Sequence, residues 1–522
     1  MEKKLNSEKI LGFFIHISSF VFIFMMTISY CAVDMDYWAR LLQGNAFWQL
    51  GHILKIDPFS YTETHIWLDH EWGSSVVFSF IQNIGYTAVL IFKSILVYLT
   101  FFFISKTINY KYKNRNRLFD IFLFVSAVFA MPTITQSWLR CHFFTFLFFT
   151  LSLFILEIVR KEQKYKLLFL IPVLMILWAN MHGGCVSLLG ILLVYAAGEF
   201  LNKKHFAVYL YTFIACLAAM FINPYGIDYV KFIFMASFMN RPFVTEWISP
   251  FAHKEISFLT GFKLFYIFAG FVLLWNLKKI KTDYTKYIIL IICAYLSFKY
   301  IKNTPFFIIT SVIFLYEEIL SFFKRIFSRL HIKLNINHTA LLVCVLILLT
   351  SFFFIRKNMI YLLYPNLSLQ PQKVVNFIKI NELKGNILAP FDMGSYIAYK
   401  LFPNNLIYMD GRYEEVYYKR TKDLQDAFYN VSKNWEEILN TENKPDFIII
   451  PYDARVNDFV TKRKDYRKIY QDSDNCLYSK IDIKVQYKQN YPELYNHEII
   501  NPFSSGVKFI RNKSTSRKLH WR

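Results

Sequence analysis

The sequence predicts an all-α polytopic membrane domain with about eleven transmembrane helices, followed by a C-terminal soluble α/β domain. Hydrophobic residues form 55% of the 522-residue chain, and 56 residues are Phe. Uncharged apolar runs, of the kind that cross a bilayer as helices, recur through residues 1–355. Beyond residue 355 the hydropathy falls, and strand-like runs alternate with helix-like segments through residues 356–522. These two regions are the predicted domains.

Each predicted span approaches the roughly 20 apolar residues that cross the hydrocarbon core as a helix. The first span follows a basic N-terminus and is longer than the apolar core of a signal peptide, so we expect it to be retained. The segment 72–84 is shorter and is expected to lie at the membrane interface. The predicted spans lie near residues 10–32, 86–105, 118–132, 143–159, 167–179, 185–200, 206–222, 260–277, 287–301, 305–323 and 339–355.

The loops between the spans predict the orientation of the chain in the cell membrane. If the N-terminus is cytoplasmic, the inside loops carry 22 Lys and Arg residues and the outside loops carry 8. Positive residues stay on the cytoplasmic side, so the C-terminal domain is expected to be extracytoplasmic. These short loops also explain much of the net charge of +22, and nucleic acid is therefore not expected as a partner.

Two long outside loops, residues 33–72 and 222–258, carry most of the polar chemistry of the membrane domain. The first loop opens with D-M-D-Y-W-A-R-L, in which Asp34 and Asp36 directly follow the first span. Charged side chains are costly near hydrocarbon, so ionisable residues at the edge of a span often indicate function. The two carboxylates could also simply end the helix at the water interface, and the sequence leaves both interpretations open.

Further polar side chains lie at the predicted outer ends of several spans. Interfacial anchoring explains Trp and Lys at such places, but it explains Asn180, His182 and Glu246 poorly. We interpret these polar groups as candidate substrate-binding residues. The full set is Asp57, His70 and Glu71 in the first outer loop, Arg140, His142, Asn180, His182 and Glu246 in later loops, and Asp410 and Arg412 in the C-terminal domain.

Several of these candidates also have a purely structural interpretation. His70 and His182 could cap or bridge buried backbone groups, and Arg140 could anchor the chain at the membrane interface. The segment Asp410-Gly411-Arg412 follows a predicted strand. It could be a turn closed by an internal salt bridge or an acceptor-binding surface.

The chain resembles the GT-C superfamily of polytopic glycosyltransferases, whose first outer loop carries an acidic motif just after the first helix. It is most similar to a group of bacterial GT-C-like membrane proteins, and the resemblance covers nearly its full length. The shared motifs are D-x-D-x-W-x-x-L-x-x-G at 34–44, D-P-F-S-Y-T at 57–62, H-E-W at 70–72, W-A-N-x-H-G-G at 178–184, N-P-Y-G at 223–226, G-x-Y at 394–396 and D-G-R at 410–412. The chain departs from the group at Arg140-Cys141, where Arg-Pro is common.

The resemblance implies a glycosyltransferase that acts on the outer face of the membrane. It would move a sugar from a polyprenyl-phosphate-linked donor to a lipid, glycan or protein acceptor. Asp36 would be the catalytic base, with Asp34 as its partner. The lipid phosphate would be neutralised by Arg140, His142 and His182.

A divalent metal, Mg or Mn, is possible but does not follow from the motifs. Asp36 and Glu71 are the possible ligands, and His70 and Glu71 would otherwise shape the acceptor site. A second acidic motif, which oligosaccharyltransferases carry, is not evident in this sequence.

Two other classes of protein remain as alternatives. A transporter or flippase should show inverted repeats and broken helices near the midplane, whereas polarity here concentrates at the predicted outer edge. A non-catalytic scaffold for surface-polysaccharide assembly would keep the fold but tolerate the loss of Asp36.

Overall fold

The computed structural model describes residues 2–28, 32–113, 116–239, 241, 244–252, 259–329, 336–357 and 366–485. The chain divides into two compact units. The first comprises Met1–Cys31 and Tyr86–Leu363, and the second comprises Ala32–Gly85 and Tyr364–Arg522. The first outer loop therefore packs with the C-terminal region, an association that the sequence did not indicate.

The first unit is helical in its described residues. Short 3-10 helices lie at Tyr165–Phe169, Gly183–Cys185, Thr245–Trp247, Leu277–Thr282 and Ile301–Asn303. Its α-helices are Glu2–Ile28, Tyr86–Lys111, Arg117–Ala130, Pro132–Thr135, His142–Glu162, Leu170–Met181, Val186–Leu201, Ala207–Ala219, Ile227–Phe238, Thr260–Asn276, Tyr284–Lys299, Thr304–Phe314, Tyr316–Arg329 and Ile336–Lys357.

Several of these helices have the length and composition of membrane spans. A bent pair, Ile301–Phe314 with Tyr316–Arg325, has an angle of 66° between its halves and can form one further span. Within the described residues, six single helices are long and apolar enough to cross a membrane: Ile10–Ile28, Tyr86–Lys111, His142–Glu162, Gly183–Leu201, Thr260–Thr282 and Thr339–Arg356.

The remaining predicted spans also coincide with helices, but these helices are shorter. They are Arg117–Ala130, Tyr165–Met181, Ala207–Ala219 and Tyr284–Lys299. The count of eleven spans therefore stays a prediction, while the mostly helical, multi-pass character of the chain is confirmed.

The second unit is built around a five-stranded mixed sheet. The strands are β1 (Gly385–Leu388), β2 (Asn405–Ile407), β3 (Phe447–Pro451), β4 (Tyr466–Gln471) and β5 (Asn475–Lys480). Their order is β2-β1-β3-β5-β4, in which β1 pairs in parallel with β2 and β3, and β5 pairs antiparallel with β3 and β4. The predicted strands in N-L-I-Y-M-D-G and P-D-F-I-I-I-P are β2 and β3, which confirms a sheet in this region.

The second unit also contains helices from two parts of the chain. Five of them come from the C-terminal region: Gln372–Ile380, Gly394–Leu401, Tyr413–Val416, Lys419–Tyr429 and Val456–Val460, with a 3-10 helix at Glu437–Leu439. Two come from the first outer loop, Met35–Leu50 and Trp72–Ile84. The indole of Trp38 is fully buried, with ring centroids 5.0 Å from Tyr396 and 5.1 Å from Tyr399. This aromatic contact holds the helix Met35–Leu50 against the helix Gly394–Leu401.

The extended part of the first outer loop continues the sheet at its edge. Ser60 forms a parallel bridge with Ile407, the last residue of β2. The backbone N–H of Tyr61 donates to Ile407 O at 3.1 Å, and Ile407 N–H donates to Phe59 O at 3.0 Å. An exposed edge strand would leave such polar groups unpaired, and here the loop pairs those of Ile407.

Candidate active site

The paired carboxylates begin the helix Met35–Leu50. Asp34 is its N-cap, with extended backbone angles (φ −83°, ψ 154°), and its Oδ1 accepts the backbone N–H of Asp36 at 2.8 Å. A side-chain acceptor at this position satisfies one of the N–H groups that a helix leaves unpaired. Asp36 lies in the first turn, where the helix dipole stabilises a negative charge. Both side chains are half-buried.

Asp36 adjoins the D-G-R segment within the second unit. A methyl group placed on Gly411 would lie 3.6 Å from Asp36 Oδ1. The structure therefore brings the first acidic motif and the C-terminal D-G-R motif into contact, although about 375 residues of sequence separate them. No local sequence pattern shows such a pairing.

Asp57, Asp410 and Arg412 form one buried ion cluster. The guanidinium of Arg412 lies 2.9 Å from Asp57 Oδ1 and 2.9 Å from Asp410 Oδ1, and all three side chains have zero exposure. The Cζ atom of Arg412 lies 4.6 Å from the ring centre of Trp67 and 5.4 Å from that of Phe59. Burying a charge is tolerated because the partners are charged and hydrogen-bonded.

This cluster joins two segments that the sequence analysis considered separately. The internal Asp410–Arg412 salt bridge, one of the two interpretations of D-G-R, is present, and it extends to Asp57 in the first outer loop. Asp57 in turn accepts the Ser60 hydroxyl at 2.5 Å and the Phe59 N–H at 3.2 Å. The arrangement fixes the first outer loop, while the substrate-binding role of these residues stays a prediction.

A second buried cluster surrounds Arg40, a residue that sequence reasoning did not include in the site. Its guanidinium forms an ion pair with Asp69, lies 3.3 Å from Glu415 and lies 3.6 Å from Glu71. His70 lies 3.0 Å from Glu415 and 3.6 Å from Glu71. Two candidates, His70 and Glu71, are therefore brought together, with Arg40, Asp69 and Glu415 as the missed members.

The neighbouring charges control the protonation of this second cluster. Burial alone lowers the pKa of His70, but Glu71 and Glu415 outweigh it and raise that pKa to about 9. Burial raises the pKa of Glu415, but Arg40 and His70 outweigh it and lower that pKa to about 2. The cluster therefore holds an imidazolium and an ionised carboxylate near neutral pH.

The inclusion of Arg40 in this cluster could have been predicted from its position in D-M-D-Y-W-A-R-L. Arg40 follows Asp36 by four residues, so both lie on the same side of the helix Met35–Leu50. Its buried partner Glu415 lies 375 residues away in sequence and has no local signal.

The remaining candidates belong to the first unit. Arg140 forms an ion pair with Glu246, so these two predicted residues are brought together. His142 begins the helix His142–Glu162, and its Nε2 atom is buried and has no hydrogen-bond partner among the described residues. Its ring centre lies 4.7 Å from that of Phe143.

Asn180 links two of the recognised motifs. Its side-chain amide donates to the backbone oxygens of Ile176 at 2.7 Å and Ile222 at 2.9 Å. Its own oxygen accepts the side-chain amide of Asn223 at 3.1 Å. W-A-N-x-H-G-G therefore lies against N-P-Y-G, and Asn180 has a positioning role in this contact.

His182 has a defined hydrogen-bonding pattern. The backbone N–H of Gly184 donates to His182 Nδ1 at 3.0 Å, which makes Nδ1 an acceptor. The hydroxyl of Thr145 lies 2.6 Å from the same atom and itself accepts the Trp178 indole N–H at 2.9 Å. With Nδ1 accepting, a neutral imidazole carries its proton on Nε2, which leaves Nε2–H as a donor.

The possible divalent metal, with Asp36 and Glu71 as its possible ligands, stays a prediction. Among the described residues, no three His, Cys, Asp or Glu side chains are arranged to hold a metal ion. Glu71, one of the two possible ligands, is already paired with Arg40 and His70. No catalytic step is therefore assigned to a metal.

Comparison with solved structures identifies the fold. The crystal structure of the Archaeoglobus fulgidus oligosaccharyltransferase in the apo form aligns with a TM-score of 0.54 and 11% identity, over 84% of this chain and 69% of that chain. This chain is similar in fold to an oligosaccharyltransferase. The complex of the archaeal oligosaccharyltransferase AglB, from the same organism, with an inhibitory peptide and a dolichol-phosphate aligns with a TM-score of 0.50, at the same identity and coverage.

The similarity shows that the chain has an oligosaccharyltransferase-like fold. At 11% identity it concerns the fold alone. No protein family and no curated protein matches the chain by sequence.

Proposed function

We propose that the protein is a membrane glycosyltransferase that uses a polyprenyl-phosphate-linked sugar as its donor. The acceptor is a hydroxyl or amide group of a lipid, glycan or protein at the outer face of the membrane. The oligosaccharyltransferase-like fold supports the reaction class. The solved neighbour that holds a peptide and a dolichol-phosphate supports a lipid-linked donor.

The position of Asp36 supports its assignment as the catalytic base. Asp36 lies in the first turn of the helix Met35–Leu50, beside Gly411 of the D-G-R segment. Asp34 holds that turn in place as the N-cap. Both neighbours of Gly411 are locked in the buried Arg412 cluster, so Asp36 rests against a fixed surface. A carboxylate positioned in this way is suited to general-base catalysis.

The proposed reaction is a displacement at the anomeric carbon of the sugar. The acceptor oxygen or nitrogen forms the new bond to this carbon as the bond to the lipid phosphate oxygen breaks. Asp36 takes the acceptor proton, and the electron pair of the broken bond leaves on the phosphate. The neutralisation of that phosphate by Arg140, His142 and His182 stays a prediction from the sequence.

The experiment compares cells that produce the wild type, Asp36→Asn and a matched control, Asp228→Asn. The side chain of Asp228 is 72% exposed, and its carboxylate lies 3.9 Å from Lys231, a weak surface pair. We expect Asp36→Asn to lower surface and lipid-linked glycan product by at least about a hundredfold, with accumulation of the donor. Both variants should reach the membrane and keep the thermal midpoint of the wild type.

The outcome that contradicts the proposal is a wild-type glycan profile in a folded Asp36→Asn protein. That result would favour the scaffold alternative, because a scaffold does not need the carboxylate. A defect in solute uptake with unchanged glycans would instead favour transport.

A further inference from the structure

The first unit contains a large basic cavity. It lies at the ends of its helices that are opposite to His142 and His182. It has a volume of about 630 Å³ and lies where three helices, Tyr86–Lys111, His142–Glu162 and Val186–Leu201, end and the helix Tyr284–Lys299 begins. Pockets of this size hold small-molecule ligands. Six of its lining residues are cationic, namely Lys111, Arg160, Lys161, Lys203, Lys204 and Lys281, whereas two, Glu157 and Asp283, are acidic.

Part of the cavity wall is an ion network. Arg160 lies 2.7 Å from Glu199 and 2.5 Å from Asp283, so one guanidinium joins three helix ends. Glu157 lies 2.5 Å from Lys111 and accepts the Tyr195 hydroxyl at 2.7 Å. The acidic groups of the cavity are therefore already neutralised within its wall.

Other cations of the cavity are left for a ligand. Lys203, Lys204 and Lys281 are exposed, and none has an ion-pair partner among the residues that the structure describes. Their ammonium groups would repel one another without an anion between them. Lys161, by contrast, donates to the backbone oxygen of Tyr110 at 2.6 Å and caps the end of a helix.

We propose that this cavity binds the phosphate headgroup of an anionic phospholipid. All the loops that line it belong to the set predicted to be cytoplasmic, where anionic lipids concentrate. Leu201, Tyr110 and Tyr284 also line it and add apolar side-chain surface. Basic pockets between membrane helices bind such headgroups. The proposal is independent of the glycosyltransferase assignment.

The simpler explanation is that these lysines only set the topology of the chain, as positive residues in cytoplasmic loops do. A topological signal depends on the number of charges in the loops. A binding site depends on which lysines are removed. Two variants with the same loss of charge therefore separate the two explanations.

The test uses the purified full-length protein and native mass spectrometry with phosphatidylglycerol or phosphatidylcholine. The site variant is Lys203→Gln/Lys204→Gln/Lys281→Gln. The matched control is Lys113→Gln/Lys166→Gln/Lys324→Gln, which removes exposed lysines of predicted cytoplasmic segments that do not line the cavity. We expect the wild type and control to retain phosphatidylglycerol preferentially, and the site variant to bind it about a hundredfold more weakly.

Three results would overturn the proposal. They are an absence of headgroup preference in the wild type, an equal loss in both variants, and displacement of phosphatidylglycerol by inorganic phosphate at equal concentration. The last result would assign the cavity to a soluble phosphate compound rather than to a lipid. All six substituted lysines are on the surface, so each variant is expected to fold.

Discussion

The guanidinium of Arg412 lies 2.9 Å from the carboxylate of Asp57, although 355 residues separate them in sequence. Both side chains are fully buried. The pair fixes the first outer loop on the C-terminal α/β region, and Asp410 completes the neutralisation of the guanidinium. The acidic motif at residues 34–36 therefore belongs to the same compact unit as the D-G-R segment.

Replacing Arg412 with Met tests how much this cluster stabilises the second unit. The substitution leaves two buried carboxylates without their cation, so we expect the free energy of unfolding to fall by about 3–5 kcal/mol. The measurement is the thermal midpoint of the purified protein. Arg420→Met is the control, because the guanidinium of Arg420 is 81% exposed and its pair with Glu437 should contribute no more than about 1 kcal/mol. Equal effects of the two substitutions would contradict this role of Arg412.

The stability of the protein should fall between neutral and alkaline pH because of His70. Its pKa in the folded protein is about 9, above the ordinary value of 6.5. Protonation of His70 therefore stabilises the folded state fully below pH 6.5, and this contribution, about 3 kcal/mol, is lost as pH rises through 9. The thermal midpoint measured from pH 6 to pH 10 should decline accordingly. The His70→Gln variant should decline less steeply, and identical slopes would rule out this contribution.

Gly44 should not tolerate a side chain. A methyl group at this position would lie 2.0 Å from the backbone oxygen of Ser75, so the helices Met35–Leu50 and Trp72–Ile84 would have to separate. We expect Gly44→Ala to lower the free energy of unfolding by about 1–3 kcal/mol. The control is Gly190→Ala, where a methyl group meets nothing within 4 Å and a helix gains a better helix former. Chemical unfolding should show a loss for Gly44→Ala only.

Gly411→Ala tests the contact between the D-G-R segment and the acidic pair. The added methyl group would lie 3.6 Å from Asp36 Oδ1, an ordinary contact distance, so the fold should be preserved. It would occupy the space beside the proposed base, where an acceptor would have to approach, and poor positioning of the reacting groups is costly in rate. We expect about a tenfold loss of glycan product with an unchanged thermal midpoint. Unchanged product would show that this side of Asp36 does not face the reaction.

Much of the local structure was predictable, because it depends on neighbouring residues. Apolar runs of sufficient length must form helices in a bilayer, since backbone groups there have no water to pair with. The strands β2 and β3 were predicted from short apolar runs ended by turn residues. Asp34 was considered only as a possible end of the first helix, whereas it begins the helix Met35–Leu50. The number of spans was harder to predict, because several helices of the first unit are shorter than a bilayer is thick.

The members of the buried clusters were only partly predictable. His70, Glu71, Asp57, Asp410 and Arg412 were chosen because they are polar groups in outer segments. Their partners Arg40, Asp69 and Glu415 were missed. A buried charge must find an opposite charge, but the sequence does not say which one, because the partner can come from any distance along the chain.

The sequence by itself determined that this is a multi-pass, mostly helical membrane protein with a sheet near its C-terminus, since hydropathy and periodicity are local properties. Only the tertiary structure decided that the first outer loop packs on that sheet, and that Asp36 lies beside Gly411. The reason is physical. Burial of Arg412 and Arg40 among carboxylates from both ends of the chain is stable only when the loop and the C-terminal region are brought together.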